Sequence, residues 1–128
     1  MEENQQELIF KLSMYEQQIQ QLQQQLHAVE QGIMEMNALN EGLGELVGSV
    51  EKEIMAPIGR GIFVKTKLLS EDLTVDIGNR TFVKKNIPET QKLIKEQLVK
   101  LRDVKMELND SLDKVGEEMQ RVVEEGKN

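Results

Sequence analysis

From Leu8 onward the apolar residues recur at alternating steps of four and three: Leu8, Leu12, Tyr15, Ile19, Leu22, Leu26, Val29, Ile33, Met36, Leu43, Val47, Val50 and Ile54. Asn40 is the one polar residue in phase. Positions spaced this way fall on one narrow stripe of an α-helix, and a stripe two residues wide per heptad is the seam of a coiled coil. The spacing predicts a helix through residues 8–54, roughly 70 Å long at about 1.5 Å per residue. A second seam runs through Ile87, Ile94, Leu98, Leu101, Leu108, Leu112, Val115, Met119 and Val122, with Gln91 and Lys105 as polar exceptions. Asn86 followed by Glu89 reads as a capping box, and Pro88 suits a first turn whose N–H groups lack helical acceptors. This helix is expected over residues 87–125, ending near Gly126.

Between the seams the period changes. Pro57 to Ile58, Ile62 to Leu68, Leu73 to Ile77 and Thr81 to Lys85 read as short strands, separated by Gly59-Arg60-Gly61, Ser70-Glu71-Asp72 and Gly78-Asn79-Arg80. Each separator carries turn chemistry. The fold class is therefore mainly α: a long antiparallel coiled-coil helical hairpin with two small β-hairpins at the hinge. Residues 1–128 form a single domain, with an N-terminal arm over 1–54, a β segment over 55–86 and a C-terminal arm over 87–128. Four short strands bury too little apolar surface to stand alone and present unpaired edges. They are expected to dock on copies of themselves or on partner subunits.

If Ile54 lies near Ile87, opposing residue numbers sum to about 141, and about eleven residues of the first helix extend past the second, roughly 16 Å. Ile9, Phe10 and Met14 fall off the seam there, beside Leu8, Leu12 and Tyr15, so the tip is apolar on several sides. Met119, Val122 and Val123, at the end of the other arm, are candidates for the same patch. Such a tip is a candidate surface for apolar segments, and the flexible, polarizable Met side chain suits varied partners. A dimerisation seam and a frayed terminus are the competing readings. Asn40 has two readings as well. A buried amide at a seam position penalises wrong registers, whereas Gly42, Gly44 and Gly48 nearby favour a coil that simply loosens there.

Composition narrows the function. The net charge of −7 among 128 residues argues against a general nucleic-acid or acidic-membrane binder, because polyanion affinity comes from Lys and Arg displacing counterions. The β segment is locally basic, carrying Arg60, Lys65, Lys67, Arg80, Lys84 and Lys85, but Phe63 and Phe82 alone make no stacking platform. It reads as a solvated sheet face, with an acidic partner as the alternative. Gln17 to Gln25 is Gln-rich, yet Ile19, Leu22 and Leu26 keep heptad phase, so the glutamines form an uncharged outer face. No Cys is present, which excludes thiol chemistry and Cys-based zinc sites. The single His27 has no second ligand at metal spacing, and Gly59-Arg60-Gly61 lacks the Lys and Ser or Thr of a phosphate cradle. No nucleophile, base and orienting acid assemble from these residues, so no catalytic, cofactor or metal site is expected. No apolar run reaches the roughly 20 residues of a membrane span, and the acidic start lacks the basic and apolar regions of a signal peptide. A soluble, cytoplasmic protein is expected.

The order of these pieces carries a resemblance. A heptad arm, Ala56-Pro57-Ile58-Gly59-Arg60-Gly61-Ile62-Phe63-Val64-Lys65, Leu73-Thr74-Val75-Asp76-Ile77-Gly78, and Val83-Lys84-Lys85 leading into a second arm together resemble the α-type subunit of prefoldin. Two hairpins rather than one favour the α type. Asn79-Arg80-Thr81 departs from the pattern of many α subunits, and a prefoldin-like paralogue is the alternative within the family. The resemblance implies an ATP-independent chaperone in which two α and four β subunits join their hairpins into a barrel. Apolar coiled-coil tips then hold unfolded proteins and pass them to a group II chaperonin. It assigns client contact to Ile9, Phe10, Leu12 and Met14, and subunit assembly to Ile58, Ile62, Val64, Val75, Ile77 and Val83. A structural coiled-coil scaffold without client binding is the competing function.

Overall fold

The computed structural model describes residues 2–126. Its elements run α1 (Glu2–Leu46), β1 (Glu53–Gly59), β2 (Ile62–Lys67), β3 (Leu73–Gly78), β4 (Thr81–Lys85) and α2 (Ile87–Gly126). Two long helices thus flank two separate antiparallel hairpins, β1 with β2 and β3 with β4. The chain divides into two compact units. One pairs residues up to Met34 with those from Val99 onward, and the other spans Glu35–Leu98.

In the first unit the seam residues meet as the heptads require. Leu8, Leu12, Tyr15, Ile19, Leu22 and Leu26 on α1 are half-buried, as are Leu101, Leu108, Leu112, Val115, Met119 and Val122 on α2. The register differs from the expected one. Leu101 packs against Gly32, Lys105 lies against Glu30, and Leu8 packs against Gly126, so opposing numbers sum to 133–135. That is about one heptad short of the expected sum, and the consequence falls on the tip. Because α2 reaches Gly126 opposite Leu8, the seam side of the tip is covered and the unpartnered overhang of eleven residues does not exist.

The second unit holds the buried hydrophobic side chains of the described residues: Leu43, Ile87, Ile94 and Leu98. Ile87, at 2% exposure, is the most enclosed. Its position follows from the start of α2, where the Glu89 N–H donates to Asn86 Oδ1 at 2.8 Å and the Asn86 side-chain amide donates to Glu89 Oε1 at 3.1 Å. The expected cap is present, although Glu89 reaches the amide of Asn86 rather than its backbone N–H.

The seam of the first helix is longer than the helix. α1 stops at Leu46, and Val47, Val50 and Ile54 leave it although they keep the heptad phase. Several local bonds terminate the helix. Ser49 N–H donates to Leu46 O at 3.0 Å, Ser49 Oγ donates to Glu45 O at 2.9 Å, and Gly48 N–H donates to Glu71 Oε1 at 3.1 Å. Gly48 takes φ +74°, a left-handed conformation that costs glycine little and ends a helix. The chain then turns into β1 by a closed pair of bonds, Glu51 N–H to Leu68 O at 2.7 Å and Leu68 N–H to Lys52 O at 3.0 Å.

Both hairpins close through two-residue turns. Arg60 and Gly61 take positive φ in the first, and Asn79 and Arg80 in the second. Turns with two positive φ values twist in the same sense as the strands and are favoured in tight hairpins. Each hairpin carries a register irregularity just before its turn, at Pro57 to Gly59 and at Asp76 to Gly78.

Candidate interaction surfaces

At the tip of the helical pair, three side chains stand off the seam. Ile9 is 66% exposed, Phe10 65% and Met14 46%. Leu12, Met119, Val122 and Val123 are half-buried, since they lie in or beside the seam that α1 and α2 share. A shallow groove between the helices is lined by Met14, Tyr15, Val122, Lys11, Gln18 and Glu118. The seven residues named from sequence therefore form two classes: Ile9, Phe10 and Met14, open to solvent, and Leu12, Met119, Val122 and Val123, half-buried at the seam, with Met14 and Val122 lining the groove. The periodicity distinguishes these classes, because Ile9, Phe10 and Met14 fall at e, f and c positions while Leu12 falls on the seam.

The hairpin residues form a graded surface. In an antiparallel pair, directly opposed residues share a face. Ala56 opposes Val64, Gly59 opposes Ile62, and Val75 opposes Val83. The six residues expected to act in assembly thus occupy one face of each hairpin. On that face Ile54, Ala56, Val75 and Val83 are half-buried near the strand ends that join the helices. Toward the turns the cover is lost, and Ile58 (71%), Ile62 and Ile77 are exposed. Beta-branched side chains this exposed on a two-stranded sheet are held by neither neighbours nor a second layer.

The opposite faces carry apolar residues that the sequence reading assigned to no interface. Met55 opposes Lys65 and Pro57 opposes Phe63 on the first hairpin, and Asp76 opposes Phe82 on the second. Met55, Phe63 and Phe82 are all exposed. Strand alternation was the available signal, blurred by the run Ile62-Phe63-Val64, in which both faces are apolar. Lys65, Lys67 and Lys84 lie on this same side, whereas Lys85 opposes Leu73 on the graded face. Lys65 Nζ sits 3.2 Å from Glu53 Oε2. Both members of that pair are solvated, so it contributes little to stability. No helix among the described residues is long and apolar enough to cross a membrane.

A family model described as "Prefoldin subunit" matches residues 15–127. The chain belongs to the prefoldin family. Its similar curated relatives are α subunits. Prefoldin subunit alpha of Methanobrevibacter smithii is 35% identical over 117 residues, covering 91% of this chain and 75% of that one. Prefoldin subunit alpha of Methanococcus aeolicus is 31% identical over 131 aligned positions, covering 98% and 88%. Among solved structures, a chain of filamentous PFD from Methanocaldococcus jannaschii superposes with a TM-score of 0.78 at 18% identity, covering 90% of this chain and 97% of that one. The prefoldin fold, two long helices around two small hairpins, is thus shared. Prefoldin is a family of non-enzymatic chaperone subunits, and a chaperone subunit role follows for this chain.

Proposed function

We propose that this prefoldin subunit holds unfolded proteins at the tip of its helical pair, without ATP, and releases them to a group II chaperonin in the cytoplasm. Ile9, Phe10 and Met14 supply the open contact surface, and Leu12, Met119, Val122 and Val123 adjoin it at the seam, where Met14 and Val122 line the groove. The carrying observation is the exposure of Ile9 and Phe10, near two thirds each, on a helix whose seam side is already occupied. Side chains that the coil does not need and water does not favour are free to meet an apolar client.

Assembly would proceed through the graded hairpin face, with Ile58, Ile62 and Ile77 buried against other prefoldin subunits and Val64, Val75 and Val83 beneath them. Two α and four β subunits are the proposed stoichiometry. Several tips in one complex bind a client weakly one by one but firmly together, since each bound tip raises the effective concentration for the next.

Deleting residues 1–14 is a poor test, because it would also strip the cover from Met119 and Val122 on α2. Changing Ile9, Phe10 and Met14 to Ser alters only outward-facing side chains. We expect the triple variant to keep its helicity and assembly while suppression of client aggregation weakens about tenfold, as lost multivalency requires. Unchanged suppression would leave the scaffold function as the better reading.

A further inference from the structure

The chain's net charge is concentrated at the tip of the helical pair. Residues 1–18 and 111–128 hold nine acidic and four basic residues, a net of −5 out of the chain's −7. The start of α1 and the end of α2 meet there, with Leu8 against Gly126, so their helix dipoles oppose each other and the formal charges set the local field. Neither of the ion pairs among the described residues, Lys65 with Glu53 and Lys105 with Glu30, lies in this region.

Carboxylates and apolar side chains share the same shallow grooves. Phe10 lines one with Glu3, Gln6 and Glu7. Glu7 and Glu125 line a second with Leu8 and Val122, and Glu118 lines the one that holds Met14. Lys11 is the one cation lining these three grooves, against four carboxylates. All four glutamates are exposed. Along α1 the order is regular, since Glu3 and Glu7 precede the exposed Phe10 and Met14 by one heptad each. Residues one heptad apart share a line along a helix at a separation of about 10 Å. An extended chain covers that distance in about three residues.

A purely apolar tip accepts any apolar segment, because burial of hydrocarbon is non-directional. Exposed carboxylates beside it change the selection. A cation on the bound segment is attracted by several of them, and an acidic segment is repelled. Each exposed pairing contributes little by itself and is screened by salt, so the effect is a sum over charges and depends on ionic strength. We propose that the tip selects client segments in which a lysine or arginine lies within about three residues of a large apolar side chain, and that Glu3, Glu7, Glu118 and Glu125 make the selection. This rests on the client reading above and narrows its substrate class.

Three fluorescent peptides with one apolar core, flanked by lysines, by serines or by glutamates, are titrated by anisotropy against the complex of the full-length chain with a β-type prefoldin partner. At about 0.05 M NaCl the lysine peptide should bind about tenfold more tightly than the glutamate peptide, with the serine peptide between them. At about 0.5 M the ratio should fall to about twofold or less. The variant carrying Glu3→Gln, Glu7→Gln, Glu118→Gln and Glu125→Gln, once its helicity and assembly are verified, should show the same fall at low salt. A smaller variant, Glu3→Lys with Glu7→Lys, should shift preference toward the glutamate peptide, and it replaces the fourfold variant if that one does not assemble. Equal binding of the three peptides by the parent, or a lysine preference undiminished in an assembled variant, would overturn the proposal and leave the client reading intact. An undiminished ratio at high salt would overturn it without any variant. Failure of the parent to bind any of the three would overturn both.

Discussion

Arg80 holds φ +59° in the second hairpin turn, next to Asn79 at +51°. Asn tolerates the left-handed region because its short amide bonds locally, but Arg has no such compensation. The favoured residue pair for a turn of this kind is Asn-Gly. Arg80→Gly should therefore raise stability by about 0.5–1 kcal/mol, less the added freedom of glycine in the unfolded chain. Urea denaturation of the parent and variant measures the change, and a lower midpoint would contradict it. Ile87 presents the opposite case. At 2% exposure it has no room to relax, and Ile87→Ala should cost about 2–5 kcal/mol by the same measurement.

At the scale of the elements, α2 was legible from sequence because its signals agree: Asn86 and Glu89 start it and the heptads sustain it toward Gly126, its last described residue. Strands β2 to β4 were legible for a similar reason, since each separator carries residues suited to a tight turn. But β1, read as Pro57 to Ile58, begins four residues earlier at Glu53, inside the stretch the heptad phase had given to the helix. The end of α1 was not legible. Val47, Val50 and Ile54 keep heptad phase, and phase alone cannot tell a seam that continues from one abandoned for a strand. What ends the helix is partly non-local, the bond from Gly48 N–H to Glu71 across a separation of 23 residues. The same cause hid the tip geometry, because extending α1 to Ile54 shifts the whole register and leaves residues 8–18 bare on paper. Exposure of Ile9, Phe10 and Met14 survived that error because it depends on their position around the helix and not on register. Gly48→Ala tests the stop. With φ +74° and no heavy atom within 4 Å of the added methyl, its cost is backbone strain alone, about 1 kcal/mol, visible as a lower melting temperature.

At the scale of the whole molecule, the two faces of the hairpins make opposite predictions about assembly. Ile58 and Ile62 are exposed in the single chain, so replacing both with Lys removes few contacts there and should change its own stability by less than about 0.5 kcal/mol each. In an assembly that buries this face, two desolvated ammonium groups would have no partners, and affinity should fall by about 100-fold or more. Met55→Lys with Phe63→Lys places the same charge on the other face of the same hairpin, opposite Lys65 and Pro57. If the graded face is the interface, this second variant assembles as the parent does. Native mass spectrometry of each chain with a β-type prefoldin partner separates the outcomes and also distinguishes a closed hexamer from an open filament, the form of the similar solved chain. Loss of assembly in the Met55 and Phe63 variant alone would move the interface to the face that carries Lys65, Lys67 and Lys84. The locally positive charge of the segment would then mark an acidic partner surface instead of a solvated one.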